Sequence, residues 1–156
     1  MTSTAAGIAG ILSGAHDQIL DEATDALGRS HLRHYDTIDL AQRRARLERL
    51  FEVTVDCLQS RQLTPVVGYA EQIARERFDN GFDIGEVQTA FNVLEEAMWR
   101  TLADATPPSE IVAALGLLTT VLGVGKDAFA RSYVSLASKQ HVPSLDLRAM
   151  FEGTGG

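Results

Sequence analysis

The chain has 156 residues, of which 45% are hydrophobic and 22% charged, values typical of one globular domain. Its net charge of -7 argues against a nucleic-acid partner, because phosphate binding needs an excess of Lys and Arg on one face. Cys57 is the only cysteine, which excludes an intrachain disulfide and a zinc site built from several cysteines, so we expect a cytoplasmic protein.

Three helices are predicted in the first half of the chain from apolar residues spaced three and four apart. The first spans residues 5–27, with a start weakened by its glycines, so that fraying is expected before Ser13. The second spans residues 38–61 behind Asp36 or Thr37. The third begins at Thr64, which we expect to cap a helix with Pro65 in its first turn, and it ends at residues 80–81.

The fourth predicted helix follows Asp83, with Glu86 three residues later as in a capping box. The turn between the third and fourth helices is so short that we expect the two to pack as an antiparallel hairpin at the centre of the fold. The predicted core of this hairpin consists of Val66, Ile73, Phe78, Ile84, Val87, Phe91, Leu94 and Met98.

The last predicted helix spans residues 110–140 and is apolar almost all round in its first half, which indicates burial on more than one side. We therefore expect a homodimer formed through this helix. Its uncharged run, residues 111–125, is shorter than the roughly 20 residues of a bilayer span, so no membrane is expected. The proposed dimer and signal stripe consists of Ile111, Leu115, Leu118, Leu122, Phe129 and Leu136.

No stretch alternates like a strand, and the sequence predicts an all-α bundle of five or six helices. One domain is expected over residues 1–140, followed by a flexible tail over residues 141–156.

The residue chemistry favours a protein that is not an enzyme and has no cofactor and no metal. No nucleophile, base and orienting group stand together in a known motif. His31 and His34 are two possible metal ligands without a third, and Cys57 is best read as a small buried hydrophobe. Arg43, Arg46 and Arg49 favour a solvated charged face, with a docking site for an acidic partner as the alternative.

The run from Tyr69 to Leu102 resembles the N-terminal domain of RsbR-type regulators, the co-antagonists of bacterial stressosomes. The similarity consists of an Ala- and Arg-containing helix ending in glycine, the capped turn at residues 81–87, and an apolar helix with Trp99 near its end. It implies a dimeric, globin-like sensor fold without haem that signals through its last helix to a protein partner. No effector domain follows, so the resemblance fits either a freestanding module or part of a longer chain.

The alternative hypothesis is a globin-like protein that binds haem or another small ligand between the central hairpin and the last helix. His16, His31, His34 and His141 would be its candidate ligands.

Overall fold

The computed structural model describes residues 4–82 and 84–141, and this part of the chain contains seven helices and no strand. The helices are α1 (Thr4–Gly14), α2 (His16–Arg29), α3 (Arg33–Asp36), α4 (Leu40–Ser60), α5 (Thr64–Asp79), α6 (Ile84–Ala105) and α7 (Ile111–His141). The prediction of an all-α helical bundle is confirmed. The predicted tail beyond residue 141 and the predicted cap Asp83 lie outside the described residues.

The first predicted helix is divided into α1 and α2 at Ala15, whose backbone leaves the helical region with φ -109° and ψ 18°. The division allows α1 to pack on α4 while α2 packs mainly on α6. The fraying expected before Ser13 is not observed, because Ile8 and Leu12 are buried in the core. Burial of this apolar face offsets the low helix propensity of the glycines.

Two predicted helix starts are corrected by one or two residues. Asp39, rather than Asp36 or Thr37, caps α4, because its carboxylate accepts a 2.8 Å hydrogen bond from the Gln42 backbone N–H. Thr64 is already the first residue of α5 and does not act as its cap. Pro65 nevertheless lies in the first turn, where its missing N–H leaves no helical hydrogen bond unmade.

The turn between α5 and α6 is short, as predicted, but the two helices do not pack along each other. Instead α5 packs on α7 and α4, whereas α6 packs on α2 and α7. The physical reason is Gly125 of α7, where an added Cβ would lie 2.7 Å from Val66 Cγ2 and 3.0 Å from Phe91 Cε1. Because it has no side chain, α7 passes closely between α5 and α6, and this corrects the predicted hairpin.

The predicted hairpin residues nevertheless lie in the common core or at its edge. Val66, Ile73, Val87, Phe91, Leu94 and Met98 are buried, while Phe78 and Ile84 are half-buried. These side chains meet α7, α4 and α2 rather than chiefly one another. The sequence pattern therefore predicted which residues are buried, but not what covers them.

Helix α7 is long and apolar enough, by length and composition alone, to cross a membrane over Ile111–Lys139, with a mean hydropathy of 1.5. A core helix of a soluble protein can pass the same test. Only 33% of the apolar window is buried within the protomer. The helix therefore has both a face in the core and an extended face outside it.

Candidate functional site

The face of α7 predicted to form the dimer is largely the face that the protomer buries for itself. Leu118, Leu122 and Phe129 are all 0% exposed. Ile111, Leu115 and Leu136 are half-buried. The first three side chains fill the protomer core, so they cannot also form a contact between two copies, and that part of the expectation is corrected.

A second stripe runs along the opposite, outer side of α7 at alternating spacings of three and four residues. Seven of its eight members are small or β-branched and uncharged, and none is buried. They are Ala113, Gly116, Thr120, Gly123, Asp127, Ala130, Val134 and Ala137. We call these eight residues the outer face of α7. Its spacing is the heptad spacing of helices that pack in pairs.

The outer face is smooth and, in its first half, uncharged. Among the described residues, no atom outside the adjoining backbone of α7 lies within 4 Å of a Cβ placed on Gly116 or on Gly123, so the space beside both glycines is open. Residues 111–125 include no charged side chain, and Val112 beside the outer face is 81% exposed. A water-exposed helix face normally has charged residues, so this surface has the character of an interface.

An apolar groove of about 450 Å³ lies between α1, the end of α4 and α7. Its walls include Cys57, Leu58 and Val121, with the partly exposed Leu63 and Leu117 at its rim. The groove opens beside the first half of the outer face through Leu117 and Thr120. It extends the apolar surface beyond α7.

The three predicted docking arginines do not form one surface. Arg43 is half-buried, and its Nη1 lies 2.9 Å from where a Cβ on Gly28 of α2 would be. Arg46 and Arg49 instead line a cleft of about 430 Å³ between α4 and α5. The neighbouring Arg44 pairs with Asp21 and, at 3.4 Å, with Asp17, as expected for a solvated charged face.

Residues at the end of α5 contribute to a cluster of arginine and aromatic side chains below this cleft. Gly81 has a φ of 81°, and the Phe82 N–H donates to the Arg77 carbonyl at 2.9 Å while the Gly81 N–H donates to Phe78 at 3.2 Å. This pair of bonds is a Schellman motif, which requires the left-handed conformation that glycine adopts easily. The motif folds Phe82 back beneath Arg77, whose guanidinium carbon lies 5.4 Å from the ring centroid.

Arg46 from α4 reaches the same ring, with its guanidinium carbon 5.1 Å from the Phe82 centroid. Tyr35 of α3 packs edge-on against Phe82 at 5.1 Å. We call Tyr35, Arg46, Tyr69, Arg77 and Phe82 the arginine–tyrosine cluster. Two guanidinium groups therefore share one aromatic ring, which stabilises each by cation–π attraction but leaves two like charges close together.

Burial governs the protonation of this cluster. Burial raises the pKa of Tyr69 to about 12, against the opposing charge of Arg77. It also raises the pKa of Tyr35, with Arg77 and Arg46 acting in the opposite direction. Burial, followed by the charge of Arg77, lowers the pKa of Arg46. The tyrosines are thus neutral hydroxyls at neutral pH, and the two arginines are the cations of the cluster.

Sequence reasoning missed Arg77, although a signal for it was present. Arg77 continues the buried stripe of α5 three residues after Ala74 and is only 7% exposed. A long charged side chain on the apolar face of a helix needs a partner, because burying an unpaired charge is costly. Glu86, predicted as part of a cap, likewise lies on the inner face of α6 and is 6% exposed.

The histidines proposed as alternative ligands are not brought together. His16 lies between Asp17 and Glu48, 2.8 Å and 3.0 Å from its ring nitrogens, and packs edge-on against Phe51. His31 is exposed in a turn, and the side chains of His34 and His141 are outside the described part. Among the side chains that are described, no group of three or more His, Cys, Asp or Glu could hold a metal ion.

The comparison with protein families identifies the chain. Residues 17–141 match the model of the RsbT co-antagonist protein rsbRD N-terminal domain. The chain belongs to this family. The matched range runs from the second residue of α2 to the last residue of α7, and so contains both the outer face of α7 and the arginine–tyrosine cluster. No curated protein and no solved structure matches the chain.

Membership makes the chain a stress-signalling regulatory module, and its family is one of regulatory co-antagonists rather than of known enzymes. Domains of this family have protein partners in a regulatory pathway. The family match extends from α2 to α7, whereas the resemblance seen in the sequence was strong only between Tyr69 and Leu102.

Proposed function

We propose that this rsbRD-type domain is a non-enzymatic, cytoplasmic sensory module that forms a homodimer through the outer face of α7 and binds a regulatory partner protein. The observation that carries the proposal is a surface of small residues, uncharged except for Asp127, on the outside of a 31-residue helix. Leaving such a surface in water is unfavourable. A second copy of α7 would cover it along its whole length.

Small residues favour this pairing because they let two helix backbones approach closely. Gly116 and Gly123 lie seven residues apart, so both would face the same partner helix over two turns. The single acidic member of the outer face, Asp127, already pairs with Arg131 on its own helix at 2.5 Å. Its charge is therefore partly balanced before any association takes place.

Light scattering coupled to size-exclusion chromatography tests the dimer. Gly123→Glu should give a monomer at micromolar concentration, because a charged side chain then stands where the helices meet. Gly68→Glu is the matched control, since Gly68 is an exposed glycine of α5 that also has open space at its Cβ position. A monomeric wild type, or a dimer that persists in Gly123→Glu, contradicts the proposal.

Leu118→Arg and Leu122→Arg are unsuitable for this test. Both side chains are completely buried in the protomer. Arginine at either position would unfold the domain by burying an unpaired charge. Loss of the dimer would then reflect unfolding of the protomer and not disruption of the interface.

The partner is best sought among proteins of the RsbT kind, which the family description names. A direct binding measurement with such a protein would test this part of the proposal. Arg49, exposed at the rim of the cleft, is the member of the predicted docking set best placed for an acidic partner surface. Arg49→Glu should then weaken binding, whereas Arg75→Glu, at an exposed residue of α5 outside the cleft, serves as the control.

A further inference from the structure

We infer that the cleft between α4 and α5 is a binding site for a small organic carboxylate, held by Arg46 and Arg77. The inference rests on the proposed function in one respect: it names the class of ligand that the sensory module would detect. Binding can be measured without the dimer or the partner protein, because the cleft and its arginines lie within one protomer.

Two buried N–H groups in the cluster have no acceptor. Arg77 Nε and Arg46 Nη1 are both inaccessible to solvent and make no hydrogen bond to any atom in the described part of the chain. Glu76 is the carboxylate that faces Arg77, but the 3.9 Å separation from Arg77 Nη1 is too long for a hydrogen bond, and Glu76 is half exposed. Buried donors without an acceptor are costly, so a small shift of either arginine toward an anion in the cleft would satisfy a donor that now has no acceptor among the described residues.

The space around the two arginines suits a ligand of limited size. Arg46, Tyr69, Ile73 and Arg77 line both the outer cleft of about 430 Å³ and an inner pocket of only about 20 Å³, which has room for about one water molecule. The inner pocket is otherwise walled by apolar side chains such as Leu47, Val87 and Phe91. The outer cleft falls within the range of small-molecule sites, which combine apolar walls with a few polar groups, whereas the inner pocket is too small to hold a ligand.

The chemistry of these walls selects an organic carboxylate. The guanidinium groups supply N–H donors with the geometry that a carboxylate accepts. Neutral Tyr69 and the apolar Ile73, which also line the outer cleft, offer a hydroxyl group, a ring face and an aliphatic surface for the carbon skeleton of such a ligand. In a chain of net charge -7, this cleft concentrates three arginines, Arg46, Arg49 and Arg77, and so attracts an anion locally.

Glu86 is the other carboxylate near the cluster and acts on the Tyr35 hydroxyl by its negative charge. It belongs to the inner face of α6 and has interactions of its own. The inference therefore rests on the two unpartnered arginine N–H groups and not on the state of Glu86.

The test is thermal unfolding and titration calorimetry of the whole chain with sodium acetate, succinate and benzoate, against sodium chloride at equal ionic strength. At about ten times the Kd, a carboxylate should raise Tm by roughly 3–6 °C beyond the effect of chloride. Inorganic phosphate is a further arm, and preference for a carboxylate over phosphate is expected because the apolar walls reward a carbon skeleton.

Matched variants distinguish carboxylate binding at this site from general effects of salt on stability. Arg77→Gln and Arg46→Gln should each weaken carboxylate binding at least about tenfold, the loss expected for a charge-assisted hydrogen bond. Arg75→Gln should not, because Arg75 is an exposed residue of the same helix outside the cleft. Glu76→Gln should tighten binding, since it removes a negative charge next to Arg77.

The carboxylate measurements test the site whether the protein is a monomer or a dimer. If no carboxylate stabilises the wild type beyond chloride, or phosphate does so better than every carboxylate, the inference is overturned. It is also overturned if folded Arg46→Gln binds as tightly as the wild type, which covers the case in which Arg77→Gln does not fold. Light scattering on the same samples reports the dimer separately, so failure of one proposal leaves the other standing.

Discussion

Gly125 and Gly68 provide a test of the close packing of α7, because the same substitution should have opposite effects at the two positions. Both are helical glycines, and replacing such a residue by alanine usually stabilises a helix by about 1 kcal/mol. Gly68 of α5 is exposed, with open space at its Cβ position. Gly68→Ala should therefore raise the free energy of unfolding by up to about 1 kcal/mol.

Gly125→Ala should lower it instead. The new Cβ would lie 2.7 Å from Val66 Cγ2, about 1 Å inside the usual carbon–carbon separation of roughly 3.5–4.0 Å. Val66 is β-branched and 0% exposed, and Phe91 on the other side is 1% exposed, so neither can move freely. Overpacking costs about 1–3 kcal/mol, and after the gain in helix propensity a net loss of about 1–2 kcal/mol is expected.

Urea unfolding followed by far-ultraviolet circular dichroism measures both variants, with unchanged m-values showing that the compactness of the states is the same. The expected gap between Gly68→Ala and Gly125→Ala is about 2–3 kcal/mol, well above the error of such measurements. If Gly125→Ala is as stable as the wild type or more so, α7 does not pass between α5 and α6 as closely as described, and the explanation for the missing hairpin fails.

Three further results are expected from single side chains. Cys57 is 2% exposed and burial raises its pKa, so alkylation of the native thiol should be about a hundredfold or more slower than in urea; equal rates would contradict its burial. Because burial raises the pKa of Tyr69 to about 12, the folded state keeps its phenol neutral while the unfolded chain ionises near 10. The free energy of unfolding should thus fall as pH rises from about 10 to about 12, and less so in Tyr69→Phe. Tyr133→Phe removes a 2.7 Å hydrogen bond to the Phe82 carbonyl and should cost about 0.5–1.5 kcal/mol in urea unfolding, whereas no loss would show that water replaces it.

The helices were predictable from the sequence because they depend on local signals and on a periodic apolar face. Pro65 in the first turn of α5 and the glycine at its end act over a few residues, and both were interpreted correctly in outline. The division at Ala15 was missed, because Gly14 directly before it is only one of three glycines in this stretch, and the position of the bend depends on the different partners of α1 and α2.

Packing partners could not be predicted in the same way. Short connections usually join neighbours, but Gly125 allows α7 to separate α5 from α6, and its role is visible only when Val66 and Phe91 are placed around it. The packing partners of the predicted dimer and signal stripe on α7 could not be predicted either. Leu118 and Leu122 are the most hydrophobic choice for an interface, and for that reason the protomer buries them itself.

The arginine–tyrosine cluster could not be predicted from the sequence for a further reason, which is that its members come from four parts of the chain. Tyr35 lies in α3, Arg46 in α4, Tyr69 and Arg77 in α5, and Phe82 in the turn after α5. No sequence spacing links them. The one local signal was Arg77 on an otherwise apolar face, which indicates a buried charge but gives no information about the residues around it.

The cleft and the outer face of α7 are linked through a short series of contacts, and this gives the two proposals a common consequence. Arg77 stacks on Phe82, and the Phe82 carbonyl accepts the Tyr133 hydroxyl hydrogen bond of α7. Tyr133 also packs against Phe78 at 5.3 Å and is followed on the same helix by Val134 of the outer face. A carboxylate that draws Arg77 away from Phe82 would therefore shift the anchor of α7.

Linkage then requires reciprocity: if dimerisation changes the carboxylate affinity of each protomer by some factor, saturating carboxylate changes the dimer dissociation constant by the square of that factor, because each dimer binds two ligands. Sedimentation at several protein concentrations, with and without the ligand, should show a shift of about fivefold or more if the contacts through Phe82 transmit the signal. Tyr133→Phe should reduce that factor while leaving the outer face and both arginines in place. A carboxylate that binds with the same affinity to monomer and dimer would mean that the cleft and the helix act separately.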